Sequence, residues 1–108
     1  MMTFDITMTD VESFAQARVL SMPKDWIDMD DWAKANVDEA ETSEIAANLH
    51  RNYALAWFVM KRRDRLGQLG LPGELTLEAI GEMEGRIDLD INEVEGGRVL
   101  PLAQELAK

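Results

Sequence analysis

Residues 41–66 have the sequence ETSEIAANLHRNYALAWFVMKRRDRL, and they contain neither glycine nor proline. Apolar side chains recur in this segment at steps of three and four residues, which is typical of an amphipathic helix. Thr42 or Ser43 can cap the helix at its start, and Gly67 or Gly70 can supply the left-handed residue that ends it. The pattern predicts a long central helix, and the side chains expected in the core are Ile45, Leu49, Tyr53, Trp57 and Met60.

A second helical pattern precedes the central helix. Thr9 and Glu12 have the spacing of a capping box, in which each side chain accepts a hydrogen bond from the backbone N–H of the other residue. This predicts a helix over about residues 10–20, which stops before Pro23. The side chains that this helix would bury are Val11, Phe14 and Ala15.

Two further helices are predicted on either side of the central one. Met29, Trp32 and Ala33 share a face at helical spacing, so residues 23–37 are expected to form a loop and a short helix. Thr76 can cap another short helix, whose two glycines weaken it.

Two short segments alternate apolar and polar residues, as strands do. In the first, Phe4, Ile6 and Met8 point to one side, and in the second, residues 86–92, isoleucine and leucine alternate with Asp and Asn. The two segments can pair as a minor two-stranded β element. We therefore predict a mainly α fold, a single small helical domain spanning 1–108, in which 96–108 can form a mobile tail.

The composition limits the classes of partner. The chain has 108 residues, a net charge of −10 and no cysteine. A strongly acidic chain repels nucleic acid and anionic membrane surfaces, and no apolar run approaches the roughly 20 residues that span a bilayer. We therefore expect a cytoplasmic protein that binds neither nucleic acid nor a membrane. The acidity can attract a basic protein partner, or it can simply keep the protein soluble.

Side chains for catalysis are scarce. His50 is the only histidine, and it lies off the apolar stripe of the central helix, where a boundary position is expected. Without cysteine it has no thiol partner, and the serines follow no nucleophile-elbow pattern. We expect no catalytic residue and no cofactor, so the chain is not expected to be an enzyme.

One segment matches the opening of an EF-hand calcium loop, with Asp88, Asp90 and Asn92 at alternate positions. The match ends there, because Glu93 stands where the tight turn needs glycine and Val99 stands where the loop needs a bidentate glutamate. A half-exposed strand explains the alternation better, and no metal site is expected.

The candidate residues for binding a partner lie in two groups. Tryptophan and methionine are suited to anchoring a partner, and a cluster of cations can orient it or can pair with local acids at a helix end. The candidate anchors are Trp26, Met29 and Trp32, and the candidate cations are Arg62, Arg63 and Arg65.

The order of patterns resembles that of a known family. Residues 55–62, LAWFVMKR, join a tryptophan, three apolar residues and two cations on a helix. Gly67, a Leu-Pro-Gly turn at 71–73 and the segment LTLEAI at 75–80 follow. With the acidic short helix before it, the chain resembles the tail assembly chaperones of long-tailed bacteriophages over residues 26–95.

This resemblance implies a small helical protein in the host cytoplasm, without catalytic residues. It would coat the long, aggregation-prone tape measure protein until tail tube subunits replace it, and it could also bind itself as a homo-oligomer. A different class is equally compatible with the charge: an acidic inhibitor that mimics DNA and binds a basic nucleic-acid-binding protein. Such a mimic should array carboxylates along one surface, whereas the acids here are spread along the chain.

Overall fold

The computed structural model describes residues 3–94, which form three α-helices and a three-stranded antiparallel sheet. The prediction of a mainly α fold is therefore wrong, because the fold is of the α+β class. The tail predicted at 96–108 lies outside the described residues. In chain order the elements are β1 (Thr3–Asp10), β2 (Gln16–Leu20), α1 (Pro23–Asn36), α2 (Glu44–Arg62), a 3-10 helix (Leu66–Leu69), α3 (Leu77–Arg86) and β3 (Ile87–Val94).

The sheet has β1 in the middle, with β2 and β3 antiparallel on either side of it. Alternate residues of each strand share the face that joins the core. The predicted pairing of the N-terminal strand with the 86–92 segment is confirmed, and β2 is the strand that the sequence did not predict. The cross-strand pairs on the core face include Ile6 with Val19 and Ile91, and Met8 with Ala17 and Leu89.

The predicted helix over residues 10–20 is wrong, because the chain turns back there and forms β2. The Asp10 carboxylate accepts from the N–H of Glu12 (2.9 Å), and the N–H of Phe14 donates to the Asp10 carbonyl (2.8 Å), as in the first turn of a helix. Backbone hydrogen bonds to its carboxylate lower the pKa of Asp10. This helical turn does not continue into a helix, because Phe14 has a left-handed φ of 62°. The side chains expected to be buried here are exposed: Val11, Phe14 and Ala15.

Helix α2 begins and ends through local capping. The Ser43 hydroxyl accepts from the N–H three residues on, at 3.1 Å. At the other end Asp64 has a left-handed φ of 54°, and the N–H of Arg65 donates to the Met60 carbonyl at 2.8 Å. The helix therefore ends before both glycines that were expected to end it, and Gly70 instead ends the 3-10 helix at a φ of 60°.

Only the second half of the α2 apolar stripe is covered. Tyr53, Trp57 and Met60 are buried, as predicted. Ile45 and Leu49 are not core residues, because they are 83% and 44% exposed. The Tyr53 hydroxyl donates to the carbonyl of the first β3 residue at 2.5 Å, so α2 meets the sheet at this turn. N-terminal to Tyr53 the same stripe faces outward.

Helices α1 and α3 start where the sequence places their signals. Pro23 is the first residue of α1, which continues for 14 residues and buries Met29 and Ala33. The Thr76 hydroxyl accepts from the N–H of Ala79 at 3.0 Å and caps α3. Both predicted helices are therefore present, and α1 is longer than the short helix expected.

Two indole groups fix the loop between the 3-10 helix and α3. Trp57 Nε1 donates to the Pro72 carbonyl at 2.7 Å, and Trp32 Nε1 donates to the Leu75 carbonyl at 2.9 Å. Since Trp32 lies on α1 and Trp57 on α2, the loop is held to both helices. These bonds satisfy two indole donors that would otherwise lose hydration on burial.

We predict that Trp57→Ala lowers the free energy of unfolding by about 3–5 kcal/mol, because it leaves a cavity and frees the Pro72 carbonyl. Ile45→Ala, in the exposed part of the same stripe, should change it by no more than about 0.5 kcal/mol. Urea denaturation followed by circular dichroism measures both values. Equal losses of unfolding free energy in the two variants would contradict the placement of Trp57 in the core and of Ile45 on the surface.

Candidate protein-binding surface

The three apolar side chains predicted to anchor a partner pack within the fold along α1. Met29 is buried in the core, and Trp26 and Trp32 are half-buried against it. The Trp26 ring lies on Phe4 with centroids 5.3 Å apart, and its buried Nε1 has no hydrogen-bond partner among residues 3–94. The structure thus gives all three anchors contacts that hold α1 in place.

Arg62 is tied to a buried carboxylate. Its Nε donates to both oxygens of Asp25, at 2.9 and 3.1 Å, and the Asp25 side chain is only 1% exposed. The other Asp25 partner is the N–H of Met22, at 2.7 Å, and the N–H of Asp25 donates to the Met22 carbonyl at 2.9 Å at the start of α1. The pair therefore links the last turn of α2 to the first turn of α1.

The outer edge of β2 is covered by side chains from the basic segment that follows α2. An edge strand presents carbonyls that can pair with another chain, and covering them removes that hazard. The contacts to the β2 carbonyls are Arg62 to Leu20 (3.1 Å), Arg65 to Arg18 (3.5 Å) and Gln68 to Gln16 (3.3 Å). Arg63, by contrast, is exposed and makes no side-chain hydrogen bond or ion pair within the described residues.

A surface that the sequence did not single out lies on the first half of α2. Ile45 and Leu49 are one helical turn apart and both are exposed, and we call them the α2 ridge. Two large aliphatic side chains at this spacing form the kind of stripe onto which another helix packs. The sequence did contain the signal, but it was assigned to the core because the same stripe continues into buried residues.

The surroundings of the α2 ridge are acidic. Residues 38–49 include Asp38, Glu39, Glu41 and Glu44 and no lysine or arginine. All four acidic residues are exposed, and Glu39 is paired with Arg51. Beside the first turns of α2 lies an open groove of about 470 Å³, whose wall includes Glu39, Glu44 and the Arg51 that pairs with Glu39. The ridge is therefore an apolar surface with a negative border.

His50 and the aspartates of the calcium-like segment have structural positions within residues 3–94. His50 Nδ1 lies 2.6 Å from Glu84 Oε2 and joins α2 to α3. Asp88 and Asp90 lie on the extended strand β3, in register with Thr9 and Thr7 of β1. From Thr3 to Val94 no group of three or more histidine, aspartate or glutamate side chains is arranged to hold a metal ion.

Three α-helices and one 3-10 helix lie between Thr3 and Val94. Within the described part of the chain, none of them is both long and apolar enough to cross a bilayer. The longest, α2, has 19 residues, and its first half carries polar residues on several sides.

We predict that Arg62→Ala destabilises the fold by about 3–5 kcal/mol, because it leaves the Asp25 carboxylate buried without its cation. Arg63→Ala, one residue away and exposed, is the matched control and should change stability by no more than about 0.5 kcal/mol. Chemical denaturation of both variants tests this. A loss in Arg63→Ala as large as that in Arg62→Ala would contradict the assigned role of the buried pair.

Comparisons with known proteins assign this chain to no family. No family model, no curated protein and no solved structure matches it. Its function is therefore inferred from the surface chemistry described above and from the resemblance of residues 26–95.

Proposed function

We propose that this protein acts by binding another protein without catalysing a reaction, as a tail assembly chaperone that keeps a tape measure protein soluble in the host cytoplasm. The observation that carries this proposal is the α2 ridge, an apolar helical surface with a negative border. The order of patterns along residues 26–95 supports the chaperone assignment in particular. The net charge of −10 suits a protein that must keep an apolar client in solution.

The spacing of the α2 ridge suits an amphipathic helix as client. Such a helix would lay its apolar face on Ile45 and Leu49 and remove both from water. Burying one aliphatic side chain contributes about 1.5–3 kcal/mol, whereas association costs at least about 4 kcal/mol in lost freedom of motion. The ridge alone therefore supports weak and reversible binding, which suits a chaperone that must later release its client.

The border of the α2 ridge favours a client with cations. Residues 38–44 carry four carboxylates, so lysine or arginine on the flanks of a client helix would be attracted. Exposed charges of this kind act chiefly on the association rate and on the choice of partner. Their reach is limited by salt to about 8 Å at physiological ionic strength.

The DNA-mimic alternative depends on an array of carboxylates on one continuous surface. In the described part of the chain the acids are divided between elements, with one group before α2 and another on β3. This division, and the ion pairs that engage Asp5, Asp25 and Asp30, support the chaperone proposal over the mimic.

The test is co-expression with a long tape measure protein whose gene lies beside the gene for this chain, which is the gene order that the proposal expects. We expect that long protein to remain in the soluble fraction with the native chain and to aggregate without it. The double variant Ile45→Ser/Leu49→Ser should lose this effect, because it removes the apolar ridge without disturbing the core. Ile27→Ser is the matched control, since Ile27 is a comparably exposed side chain, 54%, on another helix.

Three results would overturn the proposal. If the long protein is equally soluble without this chain, it needs no chaperone of this kind. If the double variant Ile45→Ser/Leu49→Ser keeps the long protein as soluble as the native chain does, the α2 ridge is not the binding surface. Inhibition of a DNA-binding enzyme at stoichiometric ratio, with strong salt dependence, would replace the chaperone with the mimic.

A further inference from the structure

The turn between β1 and β2 presents a second apolar surface. Phe14 is 79% exposed and Val11 is 50% exposed, and we call these two side chains the hairpin tip. The turn itself is well ordered by hydrogen bonds, since Asp10 Oδ1 accepts from the N–H groups of Glu12 and Ser13. The hairpin tip is thus an apolar projection on a defined support.

The backbone at Phe14 is strained. Its φ of 62° lies in the left-handed region, where the β-carbon of an ordinary residue crowds the neighbouring carbonyl and where glycine or asparagine is usual. The other non-glycine residue with such a φ between Thr3 and Val94 is Asp64, which tolerates it and ends α2. Phe14 therefore strains the fold, while its exposed ring gains little contact in return. An outlier of this kind points to a use outside the fold.

The surface beside the hairpin tip is negative. Glu12 and Glu82 line one open groove of about 420 Å³ there, together with Arg86. The Arg86 guanidinium is already engaged, because it donates to the Leu69 carbonyl at 2.8 Å and lies 3.8 Å from an Asp10 oxygen. Neither Glu12 nor Glu82 has an ion-pair partner among residues 3–94, so the groove offers two carboxylates to a cation from outside.

We infer that the hairpin tip is a second docking element, which takes a basic amphipathic helix of a protein partner. Phe14 and Val11 pack on the apolar face of that helix, and its lysine or arginine side chains enter the groove beside Glu12 and Glu82. This inference rests on the proposed function, because it assigns a second contact to the same class of client.

The test measures binding of a defined probe, a synthetic amphipathic helical peptide of leucine and lysine, by fluorescence anisotropy. A peptide of the same pattern with glutamate in place of lysine is the charge control. The protein variants are Phe14→Asn, Phe14→Gly and Ile45→Ser, with Ile27→Ser as the matched surface control. Asparagine and glycine both accept the left-handed backbone, so neither should unfold the turn.

We expect Phe14→Asn to weaken binding of the lysine peptide by roughly 10- to 30-fold, as truncation of an aromatic anchor does. The same variant should raise the Tm by roughly 4 °C, because the strain is relieved. Better stability together with poorer binding is a result that a merely structural role for Phe14 would not give. Phe14→Gly should also weaken binding, Ile27→Ser should not, and the glutamate peptide should not bind.

The pattern across variants separates this inference from the proposed function. Weaker binding in Phe14→Asn with no change in Ile45→Ser would support the hairpin tip and overturn the α2 ridge. The reverse pattern would overturn the hairpin tip and leave the ridge. Unchanged peptide binding together with lost self-association in Phe14→Asn, seen by light scattering, would also overturn the inference and identify a second copy of this chain as the occupant.

Discussion

The buried carboxylate of Asp25 joins the places where β2 ends, α1 begins and α2 ends. It accepts from Arg62 Nε, and the same guanidinium reaches the Leu20 carbonyl at 3.1 Å. A carboxylate buried without its cation costs several kcal/mol, roughly 3–5 by comparison with other broken buried pairs, so Arg62 offsets most of the cost of burying Asp25. The last turn of α2 is therefore fixed against the first turn of α1, and the segment after α2 is brought to the β2 edge, where Arg65 and Gln68 cover the carbonyls.

This constraint also explains why the opposite end of α2 can present a binding surface. With α1 and α2 antiparallel, Arg51 of α2 bridges to Asp30 of α1 at 3.4 Å, while His50 reaches α3 on another side. The first half of the helix is thus held by its polar contacts, and its apolar stripe is free to face outward. A ridge on a helix that is already ordered loses little conformational freedom when a client binds, which favours affinity for a given contact area.

The sequence was most informative where the decisive contacts are local. The alternation around Ile6 and in the 86–92 segment predicted two strands, and helical spacing predicted α2. It failed at Asp10, because the same capping hydrogen bonds serve a helix start and a tight turn, and only pairing with β1 decides between them. The prediction that Ile45 lies in the core also failed, because an apolar stripe in the sequence does not show how much of the helix packs against the sheet. The pairing of Arg62 with Asp25 could not be predicted from the sequence, because the two residues lie 37 positions apart.

Exposed apolar side chains such as Ile45 and Phe14 would ordinarily promote association between copies of the same chain. Here each lies among carboxylates, and the molecule as a whole carries a charge of −10. Two copies that approach through these surfaces bring like charges together, whereas a basic helix brings opposite charges to the same place. On the proposed function, the acidity therefore does more than keep the protein in solution, because it makes the two apolar surfaces selective for a basic client. Because salt screens these charges over distances of about 8 Å, this selectivity should weaken as ionic strength rises, while the apolar contacts themselves remain.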